Sequence, residues 1–163
     1  MAGMNFSIDI EDYTSSNKKF DRESATQILA EQIVKDTEPY VPMLSGKLTE
    51  GTTIEDGTIV YPGPYARYLY YGKVMVDSET GKGPYHWYDK AGNEYFRFRK
   101  GAKLVPTSRD LTINRTFHTK AQAYWFEASK AQNMEKWRKA AADAVSQTKE
   151  GIISRIIRGF RKR

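Results

Sequence analysis

The 163-residue chain contains no cysteine. A disulfide framework and a thiolate zinc site are both ruled out, and synthesis in a reducing compartment fits that composition. Histidine is almost as scarce. His86 and His118 stand far apart, with no Asp or Glu at metal-ligand spacing, so neither points to a metal centre. No apolar run approaches the ~20 residues that cross a bilayer. The stretch "MAGMNFSIDIEDY" has no basic region followed by an apolar one, so the expectation is cytoplasmic synthesis without a signal peptide. There is no G-x-S-x-G elbow, no H-E-x-x-H and no P-loop. "GKGP" (81–84) lacks the following Ser or Thr and reads as a turn, and the Glu55-Asp56 pair also falls in a predicted turn. Nothing in this inventory supports an enzyme or a cofactor.

What is present is aromatic and charged. Apolar residues make up 39% and aromatics 13%, a balance that points to a modest core and broad amphipathic surfaces. The length suits one domain. The net charge of +6 is unevenly spread. Residues 1–60 carry 5 basic and 11 acidic side chains, 61–146 carry 15 and 8, and 147–163 carry 6 and 1. An acidic front and a basic back can neutralise each other within one molecule, or attract head to tail between copies, which closes into a ring when the rotation allows.

Residues 1–20 read as an arm or a short edge strand. "DRESATQILAEQIVKDTEPY" reads as a first helix capped by Asp21 or Ser24, with Ile28, Leu29 and Ile33 on one face and Pro39 and Pro42 ending it. "SGKLTEGTTIEDGTIVYPG" reads as a hairpin turning at Asp56-Gly57. Pro64 to Tyr71 resumes helical spacing and Gly72 caps it; Lys73 to Val76 is a short strand. The loop-rich stretch 77–104 is read as a projecting hairpin flap. Within it "EYFRFR" alternates, which predicts Phe96 and Phe98 inward and Tyr95, Arg97 and Arg99 outward. "TKAQAYWFEASKAQNMEKWRKAAADAV" carries a stripe of Ala121, Tyr124, Trp125, Ala128, Ala131, Trp137, Ala141 and Ala144 and is the longest helix signal. Gly151 is expected to kink it into a last helical piece.

Three groups are candidates for contact rather than catalysis. In "YPGPYARYLYYG" (61–72) five phenols cannot all be buried with satisfied hydroxyls, so Tyr65, Tyr68, Tyr70 and Tyr71 are interaction candidates, with ordinary packing the alternative for Tyr61, Tyr65 and Tyr68. Arg97, Arg99 and Lys103 form a basic strip beside aromatics, as in single-stranded nucleic-acid platforms, although the alternation places only Tyr95 on the charged face. In the tail, Ile152, Ile153, Ile156, Ile157 and Phe160 make an apolar stripe, and Arg155, Arg158, Arg161, Lys162 and Arg163 fill the remaining arc and tip. That tail has three readings: docking on its own core, packing on a neighbour, or binding a phosphate backbone or anionic surface.

Three segments also carry a resemblance to a known family. "PMLSGKLTEGTTI" is similar to the Pro-x-x-x-Gly-x-Leu segment of siphophage tail-completion proteins. "PYARYLYYGKVMV" resembles their Tyr-Ala-x-Tyr segment, and still more the minor capsid proteins of phages from Gram-positive hosts. "AYWFEASKAQNMEKWRKAAADAV" resembles the family's closing helix, with "TSRDLTI" before it. The similarity spans about 24–146 and matches Gly46, Leu48, Tyr65, Ala66, Tyr68, Gly72, Trp125 and Glu127; Tyr70 departs from it, where many relatives hold an acid. The resemblance implies an α+β fold: a small curved antiparallel sheet packed by an N-terminal and a long C-terminal helix. The chain is read as one 1–146 domain with a 147–163 basic extension; the flap at 77–104 and the basic tail after Gly151 lie outside the shared pattern and are expected to be particular to this chain. The resemblance further implies a non-enzymatic virion protein of the phage neck, forming a hexameric or dodecameric ring between the head-side connector and the tail-side terminator or tube proteins, with channel DNA within reach and no membrane. The rival reading is a stand-alone basic nucleic-acid-binding module.

Overall fold

The computed structural model describes residues 3–14, 20–43 and 47–160, and over 150–160 the backbone alone. In chain order, β1 (Met4–Ser7) and a 3-10 turn (Ile10–Asp12) lead to α1 (Arg22–Thr37). A second 3-10 turn (Glu38–Tyr40), α2 (Lys47–Glu50), β2 (Thr53–Glu55), β3 (Thr58–Tyr61) and α3 (Gly63–Tyr71) follow. Then come β4 (Lys73–Asp77), β5 (Tyr85–Tyr88), β6 (Glu94–Arg97), β7 (Leu104–Asp110) and α4 (Trp125–Phe160). The class is α+β, as expected. The strands form three small antiparallel sheets, in the orders β1-β3-β2, β4-β7 and β5-β6.

Local chemistry explains most boundaries. The Asp21 side chain accepts from the Ser24 backbone N–H at 3.1 Å and starts α1. Pro39 lies in the 3-10 turn that follows Thr37, where α1 stops. Asp56 and Gly57 both take positive φ, 47° and 72°, the geometry of a tight hairpin turn. Gly72 caps α3 at φ 60°, its N–H reaching the Leu69 carbonyl at 3.2 Å. A Cβ there would lie 2.7 Å from the Cβ of Ala123, so both conformation and space demand glycine.

The core lies between α1 and α4, with the three-stranded sheet against them. Ala25, Leu29, Ala30 and Ile33 bury one face of α1, while Trp125, Trp137, Ala141 and Ala144 bury the facing side of α4. Tyr61 meets Trp125 edge to face at 5.5 Å. Small Ala residues on both helices let the backbones approach and leave room for the two indoles. A buried polar seam ties the helices together. The Thr37 hydroxyl donates to Ser129 Oγ at 3.0 Å, and the Ser129 hydroxyl donates to the Asp36 carbonyl at 3.2 Å. The Asp36 carboxylate accepts from Trp137 Nε1 at 3.0 Å, from Gln32 Nε2 at 2.9 Å and from Lys136 Nζ.

Several expectations needed correction. α4 begins at Trp125, after the expected start, because the preceding segment is tied to other elements. The Gln122 N–H reaches the Tyr40 carbonyl at 3.1 Å and the Tyr124 N–H reaches the Tyr70 carbonyl at 2.8 Å. Tyr124 takes φ 50° at this junction and stays exposed, as does Ala131, so the buried stripe runs through Ser129 instead. The helix continues through Gly151 without interruption. β7 had no periodic signal; its pairing partner β4 lies roughly thirty positions back along the chain.

Candidate interaction site

The tyrosine cluster divides by burial. Tyr61, Tyr68 and Tyr70 are buried. The Tyr70 hydroxyl donates to Glu127 Oε1, and burial together with that carboxylate pushes the phenol's pKa well up. Tyr68 belongs to a second small core with Met75 and Phe98, and burial pushes its phenol up to about 12. Tyr71 is half-buried; its ring meets Tyr70 at 5.4 Å and Tyr124 at 6.0 Å, with the Arg67 guanidinium 6.0 Å over its centre. Tyr65 is exposed, and its hydroxyl donates to the Phe96 carbonyl, joining α3 to β6. One tyrosine-rich segment thus serves the core, the helix junction and the flap.

The flap is the β5–β6 ribbon, registered as Tyr85↔Arg97, His86↔Phe96, Trp87↔Tyr95 and Tyr88↔Glu94. Its rings are broadly open to solvent: Tyr85 68%, Trp87 43%, Tyr88 61%, Tyr95 42% and Phe96 44%. On one face Trp87 stacks on Tyr95 at 5.5 Å and 16°, with Arg97 alongside. On the other, His86 stacks on Phe96 at 4.6 Å and 6°. The inward placement predicted for the alternating pair therefore holds for Phe98 and fails for Phe96. Phe98 reaches the Tyr68–Met75 core, whereas Phe96 has only the flap's own width behind it and pairs laterally with His86.

The strip of Arg97, Arg99 and Lys103 also splits. Arg97 and Lys103 are exposed. Arg99 instead clamps the base of the flap: its guanidinium donates through Nε and, at 3.1 Å, Nη2 to the buried Asp77 carboxylate, and it also pairs with Glu79. Those hydrogen bonds hold the Asp77 carboxyl below the usual range. Asp89 closes the flap's tip. Its carboxylate accepts from the backbone N–H of Ala91 at 2.8 Å and of Asn93 at 2.9 Å, from Asn93 Nδ2 at 2.9 Å and from Tyr95 Oη at 3.1 Å. Arg155 and Arg158 lie on the distal backbone of α4, and Arg161, Lys162 and Arg163 lie outside the described residues.

The sequence placed an acidic surplus in residues 1–60 but not the residues that gather it at one end. The Ile8 N–H donates to the Gly57 carbonyl at 2.9 Å, and Arg22 pairs with both Asp9 and Glu11. These contacts gather the 3-10 turn, the start of α1 and the β2–β3 turn at one end, where Asp9, Glu11, Asp12, Glu23, Glu55 and Asp56 are all exposed. The −6 balance of residues 1–60 was the available signal. Among the described residues no cluster of His, Asp and Glu could hold a metal ion, and no helix is long and apolar enough to cross a membrane. The stacked rings, guanidinium and carboxylate groups lie on open surfaces, where aromatic and arginine side chains are enriched at protein interfaces.

A family model described as minor capsid protein matches residues 5–105, from β1 through the whole flap. No curated protein and no solved structure matches the chain.

Proposed function

The chain belongs to the minor capsid protein family, and on that premise we propose that it is a structural ring protein of the tailed-phage neck, joining the head connector to the tail. The family assignment gives a phage structural, non-enzymatic protein of the virion. The neck position and the ring are the finer part of the proposal. They are supported by the charge segregation along the chain, net negative over 1–60 and net positive afterwards, which favours head-to-tail contact between identical copies. They are also supported by the shape of the fold. The flap forms a two-stranded sheet of its own, and the backbone of α4 runs on to Phe160. Both elements offer reach toward layers above and below a ring.

The segregation of charge along a chain of this family is the observation that carries this reading. Native mass spectrometry of the full chain, alone and with its neighbouring neck proteins, tests it. A closed six- or twelve-membered oligomer that loosens as salt rises is the expected result; a monomer under every condition and with every neck partner contradicts it. The Trp87–Tyr95 stack beside Arg97 favours a second reading, a basic nucleic-acid-binding module. In that case removing residues 152–163 flattens the salt dependence of DNA binding, and no oligomer forms.

A further inference from the structure

An isolated two-stranded ribbon is at best marginally stable in water. This one displays rings on both faces, a burden that a solitary soluble domain would normally shed. Its charge is directional as well. Over residues 77–104 six basic side chains stand against the four carboxylates of Asp77, Glu79, Asp89 and Glu94; Asp77 and Glu79 pair with Arg99 at the base, and Asp89 faces the turn it closes. Lys82, Lys90, Arg97, Lys100 and Lys103 remain exposed on or beside the ribbon.

The acidic end has the opposite character and lies elsewhere in the molecule. The β2–β3 turn precedes β3, whereas α3, whose Tyr65 holds β6, follows it. The two patches thus connect to opposite ends of one strand. The ion pairs of the acidic end are local, Arg22 with Asp9 and Glu11, and those of the flap base are local too. Each patch keeps a surplus of its own sign directed outward.

We infer that the flap is a docking arm for a second copy of this chain, its Arg97–Lys100 edge and the Trp87–Tyr95 stack seating on the acidic end formed by Glu23, Glu55 and the Asp9–Asp12 turn. The inference rests on the head-to-tail reading above and names the surfaces that make the contact. The aromatic rings supply contact area and the opposed charges fix the register. Because the arm and its receptor differ, each copy offers one of each, and the chain of contacts closes only as a ring or continues as a filament.

The test uses the full chain as a mixture of copies with and without nitrogen-15, with a photo-cross-linking phenylalanine analogue in place of Trp87. Cross-linked peptides carrying one label of each kind and ending in residues 9–12, 22–26 or 53–57 are expected. The variant R97E/K100E should associate at least about tenfold more weakly than the parent, because like charges then face each other. Combining it with E23K/E55K should restore association. If the parent assembles but R97E/K100E assembles equally well, or the cross-links fall on other surfaces, the docking arm is overturned while the ring stands. If R97E/K100E assembles normally and instead loses affinity for a single-stranded oligonucleotide, nucleic acid is the occupant and the inference is wrong. If the parent never assembles, the head-to-tail reading itself fails and takes this inference with it.

Discussion

Asp36 shows how much one side chain can carry. Burial alone would raise its carboxyl, but hydrogen bonds from Lys136, Gln32 and Trp137 outweigh that and lower it. A lowered folded value means the carboxylate stabilises the fold above the ordinary carboxylate range, and that this contribution is lost as pH falls through the folded value. Asp36→Asn should therefore cost about 2 kcal/mol at neutral pH, the scale of hydrogen bonds to a charged group, and progressively less as pH falls below about 4. Denaturant midpoints of both proteins between pH 2 and 7 check this; an equal cost at every pH would contradict it. Such residues were the least legible in the sequence. Asp36 meets Lys136 and Trp137 across a separation of about a hundred residues, and nothing local to "VKDTEP" announces it. Gly72 and the Asp56-Gly57 turn were legible because their requirement is a local backbone geometry. Gly72→Ala should cost about 1–2 kcal/mol for the left-handed conformation, and more for the contact with Ala123; thermal unfolding measures it.

Among the elements, the flap depends most on anchors outside itself. Its described anchors include the Tyr65 hydroxyl on the Phe96 carbonyl, Phe98 packed against Tyr68 and Met75, and Arg99 on Asp77 and Glu79. With two strands and no core on either face, its order follows from those anchors. Arg99→Gln should speed amide hydrogen exchange across residues 85–97 at least about tenfold, the equivalent of roughly 1.4 kcal/mol, and leave the α1 and α4 amides unchanged. Equal protection in both proteins would show that the ribbon holds itself. The existence of this flap was readable from its composition, as was α1 from its cap and its Leu29–Ile33 face. The direction of Phe96 was not, because alternation says which residues share a face but not whether anything lies behind that face. The start of α4 was missed for a similar reason: "TKAQAY" is compatible with a helix, and backbone bonds to Tyr40 and Tyr70 hold it out of one.

For the whole molecule, the aromatic and charged surplus first seen in the composition resolves into an α1–α4 core with an acidic end and a basic aromatic flap. Stability resides in the first part; on the proposed reading recognition falls to the others, and assembly can then be altered without unfolding the domain. The α+β class and the two principal helices could be read from the residues and the resemblance. The separation into three sheets could not, since it depends on long-range strand pairing. The position of the subunit in the virion tests the account most directly. Electron cryo-microscopy of the intact particle, with this fold traced in the density, should place it as a closed ring at the junction of head and tail, each flap resting on the next copy. The same fold scattered over the head shell away from that junction, or present there as isolated copies, would contradict the account.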